Sequence, residues 1–258
     1  MIANYHTHTA RCGHAFGTER EYIEKAIAGG LKILGFSDHT PQLYPNGYVS
    51  PDKMLPSQLE DYVDTVLRLK DEYKNDITIH LGLEVEYYPM MWEALLRFLE
   101  PYPIEYMLLG QHYVDNEIDN PPYSGRRTDS LERLHAYCTQ CMEALETGRF
   151  LYFAHPDLLN YAGSDELYVK EMGALCRFCR ERGIPLELNL LGLRDHRRYP
   201  RDLFWEVAAE EGNAVVLGSD AHTPGDVYSD QDLADAYALL DRCGLPGDRV
   251  LTELEDRF

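Results

Sequence analysis

The sequence predicts a single α/β domain over residues 1–258, built as a distorted (β/α)7 barrel of the TIM-like class. Short apolar or β-branched segments alternate with amphipathic helical patterns, which indicates parallel strands joined by right-handed crossovers. Polar residues that could bind metal stand at the C-terminal ends of the predicted strands. A barrel brings these ends together at one mouth, where such folds build active sites, whereas an open sheet spreads them along a line.

Seven segments carry the strand pattern, at residues 2–5, 33–37, 77–85, 106–110, 151–154, 185–189 and 214–218. Apolar residues spaced i, i+3, i+4 predict helices at residues 19–28, 58–74 and 130–147. Gly29-Gly30 and Gly148 follow the first and third helices, as is usual after a helix end. After residue 240, only residues 249–251 offer a possible eighth strand, and they are not counted.

The charge balance argues against a nucleic-acid partner. With 44 acidic and 24 basic residues, the chain has a formal net charge of −20. Such a surface repels polyanions, because nucleic-acid affinity depends on cationic side chains that displace counterions. We therefore expect a small substrate, and any phosphate group on it would have to be attracted by local positive charge from bound divalent ions and a few arginines.

Hydropathy gives no indication of a membrane partner. No apolar run approaches the roughly 18 residues of a membrane span, and the N-terminus lacks a signal-like stretch. We expect a soluble, cytoplasmic protein, and its oligomeric state is left open by the sequence.

Two cysteine pairs, Cys138-x2-Cys141 and Cys176-x2-Cys179, have the spacing of a zinc knuckle. The second pair also continues a helical apolar stripe that includes Tyr168 and Met172. We therefore predict buried thiols, with a structural zinc site as the alternative.

Candidate metal ligands form one set: His6, His8, His14, His39, Glu84, His112, His155, Asp220 and His222. Every member except His14 lies at or just beyond the C-terminal end of a predicted strand. His6 and His8 point to the same side of an extended chain, because side chains alternate along a strand. Imidazole and carboxylate ligands suit zinc, iron(II) or manganese, and the set is too large for one ion.

Glu84 is the natural bridge between two ions, with Glu86 on the same strand face as the alternative. Bridged ions about 3.5–4 Å apart can acidify a shared water and stabilise the entering and leaving oxygens of phosphoryl transfer. This chemistry predicts hydrolysis of a phosphate ester. Asp38 and Asp157 suit a supporting role, orienting ligand imidazoles.

The motifs resemble the polymerase-and-histidinol-phosphatase family of metal-dependent phosphoesterases from about residue 3 to about residue 225. They are His6-x-His8, Cys12-Gly13-His14, Ser37-Asp38-His39, Gly82-Leu83-Glu84, Gln111-His112, Ala154-His155-Pro156-Asp157 and Ser219-Asp220-Ala221-His222. The resemblance implies a seven-stranded barrel with three divalent ions. It assigns His6, His8, Glu84 and Asp220 to one ion, Glu84, His112 and His155 to the second, and His14, His39 and His222 to the third.

Within that family, residues 36–41, 82–87 and 186–194 look most like histidinol-phosphate phosphatases. The implied reaction converts L-histidinol phosphate and water into L-histidinol and phosphate, in histidine biosynthesis. The resemblance implies catalytic roles for Glu84, Asp220, His222 and Arg194. Arg194 stands where the family holds the phosphate, and its planar guanidinium suits two phosphate oxygens.

Three further residues are predicted to contact the substrate. Asn160 stands where the family often carries a second phosphate-binding arginine, and Asp195 replaces a basic residue. Arg197 is close enough along the chain to substitute for that residue, and His196 is a further candidate.

Two other functions stay open from the sequence. The barrel could hydrolyse another small phosphate ester, such as a nucleotide or sugar phosphate, as a phosphatase or phosphodiesterase. It could also bind metal without catalysis. Under either hydrolase hypothesis, the long loops at residues 40–56 and 113–129 would wall or cover the pocket.

Overall fold

The computed structural model describes residues 1–119, 121–254 and 257. Its strands are β1 Ala3–Asn4, β2 Ile33–Phe36, β3 Thr78–Val85, β4 Tyr106–Leu109, β5 Tyr152–Phe153, β6 Leu186–Asn189, β7 Val215–Gly218 and β8 Val250–Leu251. Each of the predicted strand segments contains one of the first seven. The pattern of apolar and β-branched residues was therefore sufficient to locate these seven strands.

The helices are α1 Glu19–Ala28, α2 Leu59–Glu72, α3 Trp92–Leu99, α4 Leu131–Glu146, α5 Asp165–Glu181, α6 Leu190–Arg194, α7 Asp202–Glu211 and α8 Asp230–Arg242. Thr18 begins α1 through a capping box with Glu21, in which each side chain satisfies a backbone N–H of the other. Helix α1 has the predicted bounds, and α2 and α4 lie within the predicted ranges. Gly148, at φ 66°, adopts the left-handed conformation that glycine favours after a helix.

The strands follow chain order, β1 to β8, in an eight-stranded sheet. Ile33 pairs in parallel with both Ala3 and Thr78, which fixes the register of the first three strands. The structure adds β8 to the seven predicted strands, where Val250 pairs in parallel with Val215. Only two residues form β8, so it gives no periodic signal in the sequence.

The chain divides into two compact units, and the first contains Met1–Leu108, Gly218–Ser229 and the described part of Thr252–Phe258. In this unit, Tyr106 links the ends of β1 and β2. Its single O–H is shared between the carbonyl oxygens of Tyr5, at 2.7 Å, and Phe36, at 3.1 Å. A Cβ at Gly35 or Gly82 would overlap the Tyr106 phenol. These glycines therefore make room for the ring that secures the chain just before His6 and Asp38.

The second unit contains Asp230–Leu251 and the described part of Leu109–Leu217. Two cysteine pairs lie in α4 and α5, and all six cysteines of the chain are free and buried. The thiol of Cys138 lies 3.8 Å from the sulfur of Met172. Among the described residues, none of the four knuckle-spaced cysteines joins a group with metal-ligand geometry. The prediction of buried thiols is confirmed.

Two predictions, on domain organisation and on cellular location, are not tested by the fold. The single-domain organisation over residues 1–258 stays a prediction, as does the cytoplasmic location. In the part of the chain that the structure describes, no helix has both the length and the apolar character to cross a membrane. Asn120, within the predicted loop at residues 113–129, lies outside the described residues.

Candidate metal centre

In the first unit, the buried side chain of Asn4 joins the segment after β1 to the segment after β7. The Asn4 side-chain N–H groups donate to Ser219 Oγ at 2.6 Å and Thr7 Oγ1 at 2.9 Å, while its Oδ1 accepts from Ser219 N at 3.0 Å. The His8 N–H also donates to the Ala221 carbonyl at 3.0 Å. The segments that carry His6-x-His8 and Asp220-x-His222 are thus held side by side.

Glu84 and Asp220 face the imidazoles of His6 and His8. Glu84 Oε2 lies 3.6 Å from His6 Nε2 and 3.5 Å from His8 Nε2, and Asp220 Oδ1 lies 3.0 Å from His8 Nε2. One ligand atom each from His6, His8 and Glu84 lies within 4.8 Å of the others. Asp220 has φ 46°, an uncommon backbone conformation of the kind that clusters at functional sites.

A second group in the same unit consists of His14, His39 and His222, whose ligand atoms also lie within 4.8 Å of one another. His14 Nδ1 lies 3.1 Å from the Cys12 carbonyl, and His222 Nδ1 lies 3.0 Å from the Asp220 carbonyl. A carbonyl at Nδ1 favours the tautomer that leaves the Nε2 lone pair for a metal. His39 Nδ1 lies 2.9 Å from Glu84 Oε2, which connects the two groups.

Asp38 supports the histidine pair. Its Oδ1 lies 3.4 Å from His8 Nδ1 and accepts from the His39 N–H at 2.9 Å, while its Oδ2 accepts from the Thr9 hydroxyl. The buried Asp38 carboxylate therefore contacts the His8 nitrogen that does not face Glu84. This contact agrees with the predicted orienting role.

The electrostatics of the cluster follow from burying acids beside imidazoles. Burial alone would lower the pKa of His8, but hydrogen bonding to Asp220 and Asp38 raises it to about 9. Burial opposes ionisation of Asp220 as well, yet the charge of His6 and the hydrogen bond from His8 hold its pKa well below the usual value. Burial and the charge of His8 lower the pKa of His222 to about 3. A proton on His8 thus balances these acids, a role that a divalent cation can take over.

Glu86, the alternative bridge, has different partners. Its Oε1 lies 2.9 Å from Lys53 Nζ, and its Oε2 accepts from the Tyr88 hydroxyl. Glu84, by contrast, contacts three imidazoles of the cluster. The contacts therefore favour Glu84 as the bridge.

In the second unit, His112 and His155 are neighbours, with ring centroids 4.9 Å apart. His155 is buried and has φ 31°, a second uncommon backbone conformation. Asp157, predicted to orient an imidazole, instead accepts from the Arg201 backbone N–H at 2.6 Å. Burial raises the pKa of Asp157 to about 7.

Arg194 lies in the last turn of α6 and pairs with a carboxylate that the sequence did not indicate. Its Nη1 donates to Asp232 Oδ2 in the first turn of α8 at 2.8 Å. At the other end of α6, Asn189 Oδ1 accepts from the Gly192 N–H at 2.8 Å, and Asn189 Nδ2 donates to Glu187 Oε1 at 2.7 Å. Hydrogen bonds from side chains therefore hold α6 at its first turn, through Asn189, and at its last turn, through Arg194.

Asn160 and Arg197, two of the other predicted substrate residues, have partners within the second unit. Asn160 Nδ2 donates to the Gly125 carbonyl at 3.2 Å. Arg197 pairs with Asp195 at 3.1 Å and donates to the Tyr199 hydroxyl at 3.1 Å. His196 is exposed and has φ 50°. Their roles in substrate binding stay predictions.

Two residues important to this architecture were missed by the sequence interpretation. Asn4 gave a usable signal, since an amide inside an apolar strand just before His6 needs buried partners. Asp232 gave none, because it resembles any acid in the first turn of a helix. Its importance depends on tertiary packing against α6.

The donor set of the first unit fits divalent cations. Asp38, Glu84 and Asp220 are all at least nine-tenths buried, and burying several carboxylates is costly without balancing cations. Among the described residues, the buried His222 Nε2 has no hydrogen-bond partner. Clustered imidazole nitrogens and carboxylate oxygens are the ligands that zinc, manganese and iron(II) take in proteins.

Residues 4–190 match the PHP domain, and the chain belongs to this family. It is 32% identical over 236 residues to the probable histidinol-phosphatase of Deinococcus radiodurans, covering 88% of each chain. It is 26% identical over 270 residues to the histidinol-phosphatase of Bacillus subtilis, covering 92% of this chain and 98% of the relative. The resemblance inferred from the motifs is confirmed.

A solved structure has the same fold. It is the histidinol phosphate phosphatase of Lactococcus lactis, complexed with zinc, L-histidinol and phosphate. The TM-score is 0.72 at 20% identity, and the match covers 95% of this chain and 94% of the other. The predicted α/β, TIM-like fold class is confirmed.

Proposed function

We propose that this protein is a metal-dependent phosphatase that hydrolyses L-histidinol phosphate to L-histidinol and phosphate. The supporting observation is the buried cluster of His6, His8, Glu84 and Asp220 beside His14, His39 and His222. The family membership and the names of the relatives point to the same reaction.

We propose three divalent ions of zinc, manganese or iron(II) as the cofactors. Within the first unit the proposed ligands are His6, His8, His14, His39, Glu84, Asp220 and His222. The ligand roles of His112 and His155 stay predictions from the sequence. When bound, such ions supply Lewis-acid stabilisation of phosphoryl oxygens and lower the pKa of water towards neutrality.

The residues of the first unit hold and orient the donor atoms. Glu84 and Asp220 provide negative charge against which cations bind, and Glu84 contacts imidazoles of both histidine groups. Asp38 Oδ1, 3.4 Å from His8 Nδ1, is placed to orient the His8 ring. This prior organisation avoids reorganising the donors during the reaction.

Arg194 is the proposed anchor for the phosphoryl group. Its guanidinium can offer two N–H groups to two oxygens, and the ion pair with Asp232 limits the orientations open to the side chain. Because Asp232 neutralises its charge, Arg194 would bind the phosphoryl group through directed N–H groups.

An ester panel tests this function. Purified protein loaded with zinc, manganese or iron(II) is assayed for phosphate release from L-histidinol phosphate, nucleoside monophosphates and sugar phosphates. We expect the highest kcat/KM with L-histidinol phosphate. A preference for nucleotides or sugar phosphates would contradict the substrate assignment, and no release from any ester would favour metal binding without catalysis.

A further inference from the structure

The loop that follows His39 encloses a cavity. Twelve residues of this loop, between Gln42 and Pro56, line a volume of about 420 Å³, within the range of sites that bind small molecules. The rings of Tyr44 and Tyr48 meet edge to face in the wall, with centroids 5.1 Å apart and planes at 86°. Leu43, Val49 and Met54 add apolar surface. The wall suits a flat or apolar group.

A buried acceptor also lines the cavity. Gln42 is 7% exposed, and among the described residues its Oε1 has no hydrogen-bond partner. A buried carbonyl oxygen without a donor is costly and uncommon in folded proteins. A ligand with an N–H group would remove this cost.

The lysine that lines the cavity is paired with an acid. Lys53, which lines it, lies 2.9 Å from Glu86, and the Tyr88 hydroxyl donates to the same carboxylate. Both charged side chains are buried, at 7% and 3% exposure. The lysine is therefore already matched by an acid, and the cavity has no charge preference for a phosphate.

The cavity adjoins the segments that carry the candidate metal ligands. Thr40 donates to the Glu84 carbonyl through its N–H at 2.9 Å and its hydroxyl at 2.8 Å, which holds the start of the loop against the end of β3. A Cβ at Gly13 would lie 2.9 Å from the Pro51 carbonyl oxygen, so the turn before His14 packs directly on the loop.

We propose that this cavity binds the alcohol part of the phosphate ester, as a heteroaromatic ring with an N–H donor. Gln42 Oε1 accepts from that N–H, and Tyr44 and Tyr48 pack against the ring. The inference rests on the proposed function, since L-histidinol carries an imidazole ring that can supply the N–H. Gln42 and Tyr48 then determine which ester is preferred, while the metal cluster acts on the phosphoryl group.

The test compares two esters on the metal-loaded protein: L-histidinol phosphate and propyl phosphate, which lacks both ring and N–H. Gln42→Leu keeps the size of the side chain and removes the acceptor. We expect the ratio of kcat/KM between the two esters to fall about tenfold, as for loss of one hydrogen bond. Gln231→Leu, at an exposed glutamine in α8, is the matched control and should keep the wild-type ratio.

Tyr48→Leu gives a second variant at a residue that is 38% exposed and so tolerates substitution, with Tyr237→Leu, at 40% exposure, as its control. The ratio should fall in Tyr48→Leu and not in its control. An unchanged ratio in both cavity variants would overturn the assignment.

Calorimetric titration with L-histidinol separates this inference from the proposed function. If the wild-type protein releases phosphate from no ester, the proposed function fails, but the cavity is still tested. Binding of L-histidinol by the wild type that weakens about tenfold in Gln42→Leu supports the site. Absent binding, or equal binding by both proteins, would overturn it.

Discussion

The two compact units hold their candidate functional side chains in different ways. In the first unit, imidazoles and carboxylates contact one another directly, as with His8 and Asp220 at 3.0 Å. In the second, Arg194 is held by an acid from another helix, Asp232, at 2.8 Å. Close packing of imidazoles and carboxylates is the arrangement expected of a metal site, whereas Arg194 is the residue that we propose to bind the phosphoryl group. The comparison predicts large effects for changes in the first cluster and smaller, substrate-binding effects for changes around Arg194.

The largest effect is expected for Glu84→Gln. The amide keeps the shape but loses the negative charge that faces three imidazoles, so kcat for L-histidinol phosphate should fall by about 10³-fold or more, corresponding to several kcal/mol of transition-state stabilisation. Steady-state kinetics check this, with Glu60→Gln at an exposed position as the control. Wild-type turnover by Glu84→Gln would move the bridging role to another residue.

A substitution that crowds the core of the first unit should lower the free energy of unfolding. Gly82→Ala places a methyl group in the Tyr106 ring, and we expect a loss of about 1–3 kcal/mol in the free energy of unfolding. Urea denaturation measures the change. Gly247→Ala, where no atom lies within 4 Å of the added Cβ, should be nearly neutral. Equal stability of both variants would show that Tyr106 is not tightly enclosed.

Asp232→Asn probes the second unit. Loss of the charged partner should loosen Arg194, raise KM for L-histidinol phosphate and raise the inhibition constant of inorganic phosphate by about tenfold, with a smaller change in kcat. Asp232→Glu should restore part of the loss. The exposed pair of Asp202 and Arg242 gives the control variant Asp202→Asn. A fall in kcat alone would argue against an anchoring role for Arg194.

The smallest effect concerns Glu105 in the first unit. Burial alone would raise its pKa, but hydrogen bonds from His80 and Lys70 lower it to about 2. Because this pKa lies below the unfolded value, the stabilisation is complete above about pH 4.5 and is lost as the pH falls towards 2.

With solvent screening, Glu105→Gln should cost only about 1 kcal/mol at pH 7. The difference from wild type in urea denaturation should shrink as the pH is lowered from 5 to 3. Glu100→Gln, at an exposed position, should show no such trend. A difference that stays constant with pH would exclude the charge of Glu105 as its source.

The same contrast explains what the sequence could predict. Strand β3 has a long apolar pattern and helix α1 has a capping box, so the sequence predicted where both elements lie. The candidate metal ligands could be proposed from the sequence because strand ends converge in parallel α/β folds. Strand β8 was noted as a possibility at residues 249–251 but was not counted, because two residues that pair with β7 have no pattern of their own.

Partners chosen by packing were the least predictable. The pairing of Arg194 with Asp232 and of Lys53 with Glu86 joins residues far apart in sequence whose types recur throughout an acidic chain. Judged from the sequence alone, many other acidic residues could equally well pair with Arg194 or Lys53. Only the tertiary arrangement of α6, α8 and the loop at residues 40–56 selects among them.

Elemental analysis of the purified protein tests the central claim most directly. Wild-type protein exposed to zinc, manganese or iron(II) and then dialysed should retain several divalent ions per chain, about three for the proposed ligand set. Glu84→Gln should retain fewer, with its fold unchanged by circular dichroism. Wild-type protein that keeps no divalent ion under any of these conditions would contradict the account.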